Sequence, residues 1–317
     1  DSYDWHITTW GKTHITVPLP VIVRGENGRW HLFSSSRVAH GQSYEGFYIA
    51  RGGDYDGKIV ERNAAGEEVR PIDLSLTKTA FALLFNSALL MLIVLGAARW
   101  YKRHPVRTSA PGGFVGLMEA AVMMIHDDLI KSCVGKDYKR FAPYLLTVFF
   151  FILINNLMGL VPIFPGGANV TGNIAITLLL AIATFIMTNV FGTREYWKEI
   201  FWPEVPTWLK CPVPMMPAIE FVGILTKPFA LMIRLFANMM AGHAVILSLT
   251  CLVFVTVSMG PVVNGSMTVV SVIFCIFMNL LELLVAFIQA YVFTMLSAVF
   301  IGLARVEPHH KKEEQEI

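Results

Sequence analysis

Apolar and polar residues are segregated along this chain, and the first clear boundary between them falls near residue 76. Residues 1–76 contain short alternating segments separated by glycine-rich stretches, a pattern typical of β-strands joined by tight turns. From Ala80 to Ala98 the residues are almost all apolar, and an aromatic and basic cluster follows at residues 99–103. Such a run predicts a membrane-spanning helix with an interfacial anchor. We therefore predict a small β-rich extramembrane domain over residues 1–76 and a membrane domain over residues 77–317.

The membrane domain contains further apolar runs of different lengths. No formally charged residue lies between Arg140 and Arg194, and a polar loop divides this stretch into two predicted spans. Residues 113–139 mix apolar with charged side chains, which predicts an amphipathic helix lying on the membrane surface. Residues 215–259 would form a helix about 65 Å long, roughly twice the thickness of the hydrocarbon layer. That segment is either two spans or one strongly tilted span.

The charges of the loops decide between these alternatives. Basic clusters occur at residues 99–107, 131–140, 194–210 and 305–312, whereas the loops at residues 162–173 and 258–267 contain no Lys or Arg. Because cytoplasmic loops are enriched in Lys and Arg, this sorting is consistent only if residues 215–259 cross once. We therefore predict an all-α membrane domain with about five crossings, an external N-terminus and a cytoplasmic C-terminus. Within residues 215–304, helices over 215–259 and 268–303 would form a tilted antiparallel hairpin.

Composition supports membrane insertion and excludes several other classes of protein. The 317 residues are 55% hydrophobic and 15% charged, with a mean hydropathy of +0.56, which is too apolar for an ordinary soluble domain. The net charge of +2 gives no reason to expect nucleic acid as a partner, and the lipid bilayer is the expected environment. The four cysteines show no close spacing, so we expect neither a disulfide framework nor a metal site, and no cofactor is indicated. Export of the N-terminal domain would require a leader peptide, and we expect one to have been removed.

Arg234 lies alone in a long apolar segment and is the most informative residue of the chain. An arginine at the centre of a membrane helix costs about 2.5–3.5 kcal/mol or more, depending on the method. Between Leu235 and Ala304 the only formally charged residue is Glu282. Any further carboxylate for Arg234 would therefore come from another chain, which indicates one half of a split ion-handling site.

Helical spacing places other polar residues of the predicted hairpin at defined depths. His243 lies about 13 Å beyond Arg234 toward the outside, and Glu282 lies about 10 Å outside Gln289. In an antiparallel pair of helices, His243 is then level with Glu282, and Gln289 is level with Arg234. An imidazole titrates near neutral pH and a neighbouring carboxylate can hold or pass a proton, so this pair favours a proton path.

Helical phase separates these residues into two faces. Glu220 and Asn238 fall within about 40° of Arg234, whereas His243 points in nearly the opposite direction. Because arginine stays charged, it would separate an outer path ending near Asn238 from an inner path beginning near Glu220. An ion would then need a carrier to pass the arginine.

Purely structural roles are the alternatives for most of these residues. A hydrogen-bonded packing pair is the alternative for His243 and Glu282. Ordinary contacts between helices are the alternative for Asn238 and Gln289. A simple interfacial position is the alternative for Glu220.

Four stretches of the membrane domain resemble subunit a of F-type ATP synthases. They are NNLMGLVP at residues 155–162, ANVTGN at 168–173, TKPFALMIRLFANMMAGH at 226–243 and ELLVAFIQAYVFTMLSAVF at 282–300. The likeness extends over residues 81–304. The N-terminal domain lies outside it and resembles an extension found in some bacterial members of the family.

The resemblance implies roles for individual residues. Arg234 matches the essential arginine of the family, and Asn238 and Gln289 match the amides near it. Glu220 matches the acid of the inner channel, and Asn173 matches a small polar position of the outer channel. These assignments agree with the order of depths that spacing alone predicts for the hairpin.

The chain departs from one familiar bacterial pattern at two places. That pattern has a glutamate at the position of His243 and a histidine at the position of Glu282, so the two residue types are exchanged here. Gly159 stands where some bacterial members have an aspartate, which makes the outer channel harder to assign. Asn155 and Asn156 lie near the end of a predicted helix, where amides commonly cap backbone groups.

The resemblance implies a non-catalytic stator subunit that passes protons through two offset half-channels. Its partners would be a rotor ring of small proteolipid subunits, each with one membrane carboxylate, and the membrane subunit of a peripheral stalk. The expected location is the bacterial plasma membrane, or alternatively the energy-transducing membrane of an organelle. A self-contained secondary transporter or ion channel is the alternative function, although the sequence shows no internal repeat. A membrane-embedded hydrolase is not indicated, because the chain has no HExxH or nucleophile-elbow motif.

Overall fold

The structure is a computed structural model that describes residues 3–10, 13–38, 41–50, 52, 55–63, 66–104, 112–161, 166–201 and 215–305. The chain divides into two compact units, of which the first contains residues 1–88 and 161–168 and the second contains residues 89–160 and 169–317. The basic clusters used above to orient the chain lie partly outside the described residues. The direction in which each segment crosses the membrane therefore stays a prediction.

Short strands form three antiparallel sheets in the described part of the N-terminal unit. The strands are β1 Asp4–Trp10, β2 Thr13–Pro18, β3 Pro20–Arg24, β4 Trp30–Ser34, β5 Phe47–Ile49, β6 Ile59–Arg62, β7 Glu68–Val69 and β8 Ile72–Asp73. β1 pairs with β2, β3 lies between β4 and β8, and β6 lies between β5 and β7. The prediction of a small β-rich region is confirmed.

Alternate residues of the strands build the core of the N-terminal unit. Val21 and Val23 of β3 are fully buried, and they pack with Phe47 of β5 and Ile59 of β6. The turn between β3 and β4 contains Gly28 at a φ of 71°, a left-handed backbone angle that glycine adopts without steric cost. One face of the β3 sheet therefore forms the core and the other faces outward.

Tyr3 connects the beginning of the chain to β8. Its hydroxyl donates a hydrogen bond to Oδ2 of Asp73 at 2.5 Å. Burial, followed by the hydrogen bond to Asp73 and the negative charge of that carboxylate, raises the pKa of Tyr3 to about 12. The neutral phenol is the form that the fold favours. Its stabilising contribution is complete below the ordinary tyrosine pKa of about 10 and is lost as the pH rises toward 12.

The rest of the described chain is helical. The helices are α1 Lys78–Arg103, α2 Gly113–Met123, α3 Lys131–Val134, α4 Tyr138–Leu160, α5 Ile174–Val190, α6 Arg194–Phe201, α7 Met215–Thr256 and α8 Pro261–Leu303. Four helical segments, which contain α1, α4, α7 and α8, are long and apolar enough to cross a membrane, and α5 is a shorter apolar helix. The predicted helical membrane domain is confirmed in the form of these four candidate spans and the shorter apolar helix.

The predicted surface helix is present in a less regular form. A π-helical turn at Met124–Ile130 connects α2 to α3, and a 3₁₀ turn at Gly135–Asp137 connects α3 to α4. Leu129 is buried with its apolar neighbours, whereas Asp127 and Asp128 are exposed. This segment is amphipathic, as the mixture of residues predicts.

Helices α7 and α8 form an antiparallel hairpin, and α7 is one continuous helix of 42 residues. The turn between them contains a 3₁₀ segment at Val257–Met259 and then Gly260, whose φ is 103°. Helix α8 begins at Pro261, so the predicted start at residue 268 is wrong by seven residues. Glycine permits the sharp turn and proline suits the first position of a helix, which together explain the earlier start.

The C-terminal end of α8 is held firmly within the second unit. Nε of Arg305 donates to Oδ2 of Asp137 at 2.8 Å, and Nη1 of Arg305 donates to the carbonyl oxygen of Phe191 at 3.2 Å. Gly302 lies directly against the backbone of Cys133, because a Cβ at residue 302 would be 2.1 Å from that carbonyl oxygen. These contacts fix the end of α8 and thereby the depth of every polar residue along it.

Candidate functional site

His243 of α7 and Glu282 of α8 form a hydrogen-bonded pair, in which Nδ1 of His243 donates to Oε1 of Glu282 at 2.6 Å. The carboxylate side chain is 4% exposed, whereas the imidazole side chain is 35% exposed. The second carboxylate oxygen, Oε2, is buried and has no hydrogen-bond partner among the described residues. A buried acceptor without a partner costs free energy, so this oxygen is suited to binding a proton or a water molecule. Antiparallel spacing correctly predicted that the two residues are level.

Gly242 creates the space that the Glu282 carboxylate occupies. A Cβ at residue 242 would lie 2.7 Å from Oε1 of Glu282 and 3.0 Å from its Cδ. Any larger residue would therefore push the carboxylate away from His243. The sequence analysis did not single out Gly242, whose only signal was its position next to the histidine.

Asn238 and Gln289 form a second contact between the two helices of the hairpin. Nδ2 of Asn238 donates to Oε1 of Gln289 at 2.7 Å. Gln289 is 3% exposed, and its Nε2 is buried without a hydrogen-bond partner in the part of the chain that the structure describes. Spacing placed Gln289 level with Arg234, but its hydrogen bond is to Asn238, one helical turn further along α7. The contact satisfies Oε1 of Gln289 and does not involve the guanidinium of Arg234.

Arg234 lies on a face of α7 that the described part of its own chain leaves exposed. Leu231 and Leu235, three residues before and one after it, are buried, whereas Arg234 is exposed. Within the described ranges, no carboxylate lies at ion-pair distance from its guanidinium and no hydrogen bond to it is formed. The cation therefore has no partner in the described part of its own chain, as the distribution of charges in the sequence predicts.

Glu220 lies on the same face of α7, near the beginning of the helix, and its side chain is exposed. Burial raises the pKa of Tyr196 in α6, and the negative charge of Glu220 makes a smaller contribution in the same direction. Lys227 lies between Glu220 and Arg234 along α7. Its Nζ is 5.5 Å from the ring centre of Phe300, a cation–π distance. The uncovered face of α7 therefore carries an acid toward one end and an unpaired cation further along.

Asn173 begins helix α5 as its N-cap. Its Oδ1 accepts a hydrogen bond from the backbone N–H of Ala175 at 3.0 Å. This contact gives the residue a local structural function. Its part in proton movement stays a prediction.

Asn156 of α4 connects to two other segments of the second unit. Its Nδ2 donates to the carbonyl oxygen of Ala286 in α8 at 3.3 Å, and its Oδ1 accepts from Oγ1 of Thr171 at 2.8 Å. Asn156 and Thr171 are fully buried. The capping role expected for Asn156 is therefore wrong, because the residue faces another helix. Ala286 lies between Glu282 and Gln289 along α8, so Asn156 brings a buried amide to the stretch that separates the two polar contacts.

Within the described residues, the two helices of the hairpin are thus joined by two polar contacts, and Arg234 is exposed without an ion pair. An imidazole beside a carboxylate is suited to proton transfer, and a permanent cation is suited to repelling a passing cation. Throughout the described ranges, no three His, Cys, Asp or Glu side chains come together as a metal site would require.

Comparison with known proteins gives the family. Residues 83–302 match the family model described as ATP synthase A chain, and residues 1–75 match a separate family described as a domain of unknown function. ATP synthase subunit a of Chloroherpeton thalassium is 44% identical over 254 residues, which cover 78% of this chain and 71% of the relative. The subunit a of Chlorobium phaeobacteroides is 43% identical over 271 residues, which cover 82% of this chain and 75% of the relative. That of Myxococcus xanthus is 41% identical over 245 residues, which cover 75% of this chain and 76% of the relative. The chain therefore belongs to the ATP synthase A chain family.

Proposed function

We propose that this chain is the membrane stator subunit of a proton-translocating ATP synthase and that it provides two offset half-channels separated by Arg234. Membership of the family makes it a non-catalytic, multi-pass membrane subunit that works within the ATP synthase complex. It makes no ATP itself. Each proton that crosses contributes about 2.3 kcal/mol per 100 mV of membrane potential, and the chain provides the route along which this energy is released.

The observation that carries the proposal is the unpaired guanidinium of Arg234 on an apolar helix. A cation in this position is costly unless an anion approaches it from another chain. A carboxylate on a rotor subunit supplies such an anion, and a proton on that carboxylate would weaken the attraction and allow the rotor to move on. Because arginine does not release its proton, it blocks direct leakage between the two half-channels.

The polar contacts of the hairpin then divide between the two half-channels. His243 and Glu282 hold and pass protons in the outer path, and the unsatisfied Oε2 of Glu282 is the natural acceptor. Asn238 and Gln289 lie at the inner end of that path, and Asn173 lines it. Glu220 opens the second path toward the cytoplasm.

The partners that this mechanism requires are a rotor ring of small proteolipid subunits, each with one membrane carboxylate, and the membrane subunit of a peripheral stalk. Residues 77–317 would form the half-channel domain in the bacterial plasma membrane, with the C-terminus in the cytoplasm. Residues 1–76 would lie on the opposite side. Support for this placement comes from the basic clusters of the loops.

The test is a charge-neutralising substitution in the complete ATP synthase reconstituted into proteoliposomes. Arg234→Gln is expected to abolish both ATP synthesis driven by a proton gradient and proton pumping driven by ATP hydrolysis. Arg99→Gln is the matched control, because it removes the same charge from an exposed position at the end of α1. Proton-driven synthesis at the control rate in the Arg234→Gln complex would show that the proposed role is wrong.

A further inference from the structure

The N-terminal unit carries an exposed apolar surface on one of its sheets. We call it the apolar sheet face, and it consists of Trp30, Leu32, Ile72 and Leu74, which are 53%, 74%, 59% and 62% exposed. Trp30 and Leu32 lie on β4, Ile72 lies on β8, and Leu74 follows β8 directly. β4 and β8 are the two strands that flank β3. Exposed apolar patches of this kind commonly mark an interaction site.

Strand register places these side chains on one face. Arg24 of β3 is paired with both Trp30 and Ile72, and Ile22 is paired with Leu32. The backbone N–H of Leu74 donates to the carbonyl oxygen of Ile22 at 2.9 Å, so Leu74 continues the same row. Residues directly opposite each other in a sheet point to the same side, so the four residues share one face, with Ile22 and Arg24 of β3 between the two pairs.

The opposite face of this sheet already forms the core of the unit. Val21, Val23 and Phe33 point inward and are buried. Four large exposed apolar side chains on the second face are unusual, because the second face of an antiparallel sheet commonly is polar and faces water. The four residues of the apolar sheet face are not part of this core, so packing within the unit does not explain why they are apolar.

The sheet is attached directly to a membrane helix. Pairing with β3 continues beyond β8, since the backbone N–H of Leu76 donates to the carbonyl oxygen of Pro20 at 3.2 Å. Helix α1 begins two residues later, at Lys78, and it is 26 residues long and apolar enough to cross a membrane. Two extended residues span about 7 Å, which is comparable with the thickness of one headgroup layer. The edge of the sheet is therefore tethered at the membrane surface.

Arg24 lies within this face, between Trp30 and Ile72, and the adjoining turn carries Glu26 and Arg29, which are both exposed. The guanidinium of Arg24 lies 5.9 Å from the ring centre of Trp30, and Arg29 in the adjoining turn is exposed. Tryptophan favours the interface between hydrocarbon and water, and arginine can extend its charge toward anionic phosphates while its stem contacts apolar groups.

We propose that the apolar sheet face docks onto the headgroup layer of the leaflet that α1 enters. The β-rich unit then lies on the bilayer with Trp30, Leu32, Ile72 and Leu74 against lipid. The short connection to α1 supports lipid as the occupant, because Leu76 is still bonded to β3 and the apolar helix begins at Lys78. The docking would hold the N-terminal unit in one orientation relative to the membrane.

A fluorescent label at position 32 tests the proposal in the full chain. Cys133, Cys211, Cys251 and Cys275 are replaced by serine, and Leu32→Cys is labelled with an environment-sensitive fluorophore in vesicles of phosphatidylcholine and phosphatidylglycerol. Glu67→Cys is the control. Residue 67 is exposed and polar, and it lies in the connection between β6 and β7 of the other three-stranded sheet. We expect spin-labelled lipid to quench the label at residue 32 at least about twofold more than the label at residue 67. Iodide dissolved in the water is expected to quench the label at residue 67 more strongly than the label at residue 32.

Two outcomes would overturn lipid docking. Equal access of iodide to both labels would show that the face is open to water. If the label at residue 32 were protected from iodide only in the assembled ATP synthase, and not in vesicles of the chain alone, the occupant would be a protein.

As a second measurement, brominated lipid is used to quench tryptophan emission in the chain with its native cysteines. This quenching should decrease in Trp30→Phe. None of these measurements depends on proton transport, so a negative result leaves the proposed function untouched.

Discussion

Arg234 and Glu282 are two ionisable groups of one helix hairpin, and the chain treats them in opposite ways. Glu282 is 4% exposed and bonded to His243, with Gly242 leaving room for its carboxylate. Arg234 is exposed and has no ion pair or hydrogen bond within the described ranges. Within the described residues, the chain therefore gives one oxygen of its buried carboxylate a partner and gives its exposed cation none.

This difference follows from where the two groups lie on their helices. The buried face of α7 includes Leu231, Leu235 and Met239, and Arg234 is outside it. Glu282 lies on the buried face of α8, together with Ala286 and Gln289. A group on a buried face has to be satisfied during folding, whereas a group on an uncovered face can wait for assembly.

Among changes to the contacts within the hairpin, the largest effect should come from replacing one member of the pair His243 and Glu282. Glu282→His places two imidazoles at one level, removes the proton acceptor and leaves His243 without its carboxylate. We expect ATP-driven proton pumping in reconstituted vesicles to fall by about 10²-fold, the lower part of the range for losing a positioned acid or base. The double exchange His243→Glu with Glu282→His should recover most of the activity. A double variant no more active than the single one would contradict a functional pair.

A smaller effect should come from changing the space around the carboxylate without changing any charge. Gly242→Ala would bring a methyl group to 2.7 Å from Oε1 of Glu282 and so displace it from His243. We expect proton pumping to fall by about tenfold, since misplacing a reacting group by about 1 Å can cost 10²-fold. Gly223→Ala on the same helix is the matched control, because nothing lies within 4 Å of a Cβ there. Equal pumping by the two variants would show that the position of the carboxylate is not critical.

The smallest effect should come from the amide contact next to Arg234. Asn238→Ala removes the donor to Oε1 of Gln289, which leaves a buried amide with fewer partners. We expect the free energy of unfolding of the purified chain in detergent to fall by about 1–2 kcal/mol. Asn279→Ala is the control, since Asn279 is exposed and donates only to the carbonyl oxygen of Cys275 in its own helix at 2.8 Å. If the two substitutions lower stability equally, the contact between the helices adds nothing beyond a local hydrogen bond.

Spacing alone predicted that His243 and Glu282 meet, because helical rise is constant and both residues are on long uninterrupted helices. It did not predict that Gln289 bonds to Asn238, because long amide side chains can reach across a helical turn. Asn156 was assigned a capping role because the sequence does not tell which face of α4 meets α8. Contacts of this kind depend on helix rotation, which apolar runs constrain only weakly.

The sequence by itself determined the apolar helices, the β-rich N-terminal region and the isolation of Arg234 from other charges, because these follow from the order of residues along the chain. Only the tertiary structure decided that Gly242 makes room for Glu282, that Arg234 lies on an uncovered face and that one sheet of the N-terminal unit is apolar on both sides. These features depend on which faces meet in space. A linear pattern specifies which residues are apolar, but packing decides which of them are covered.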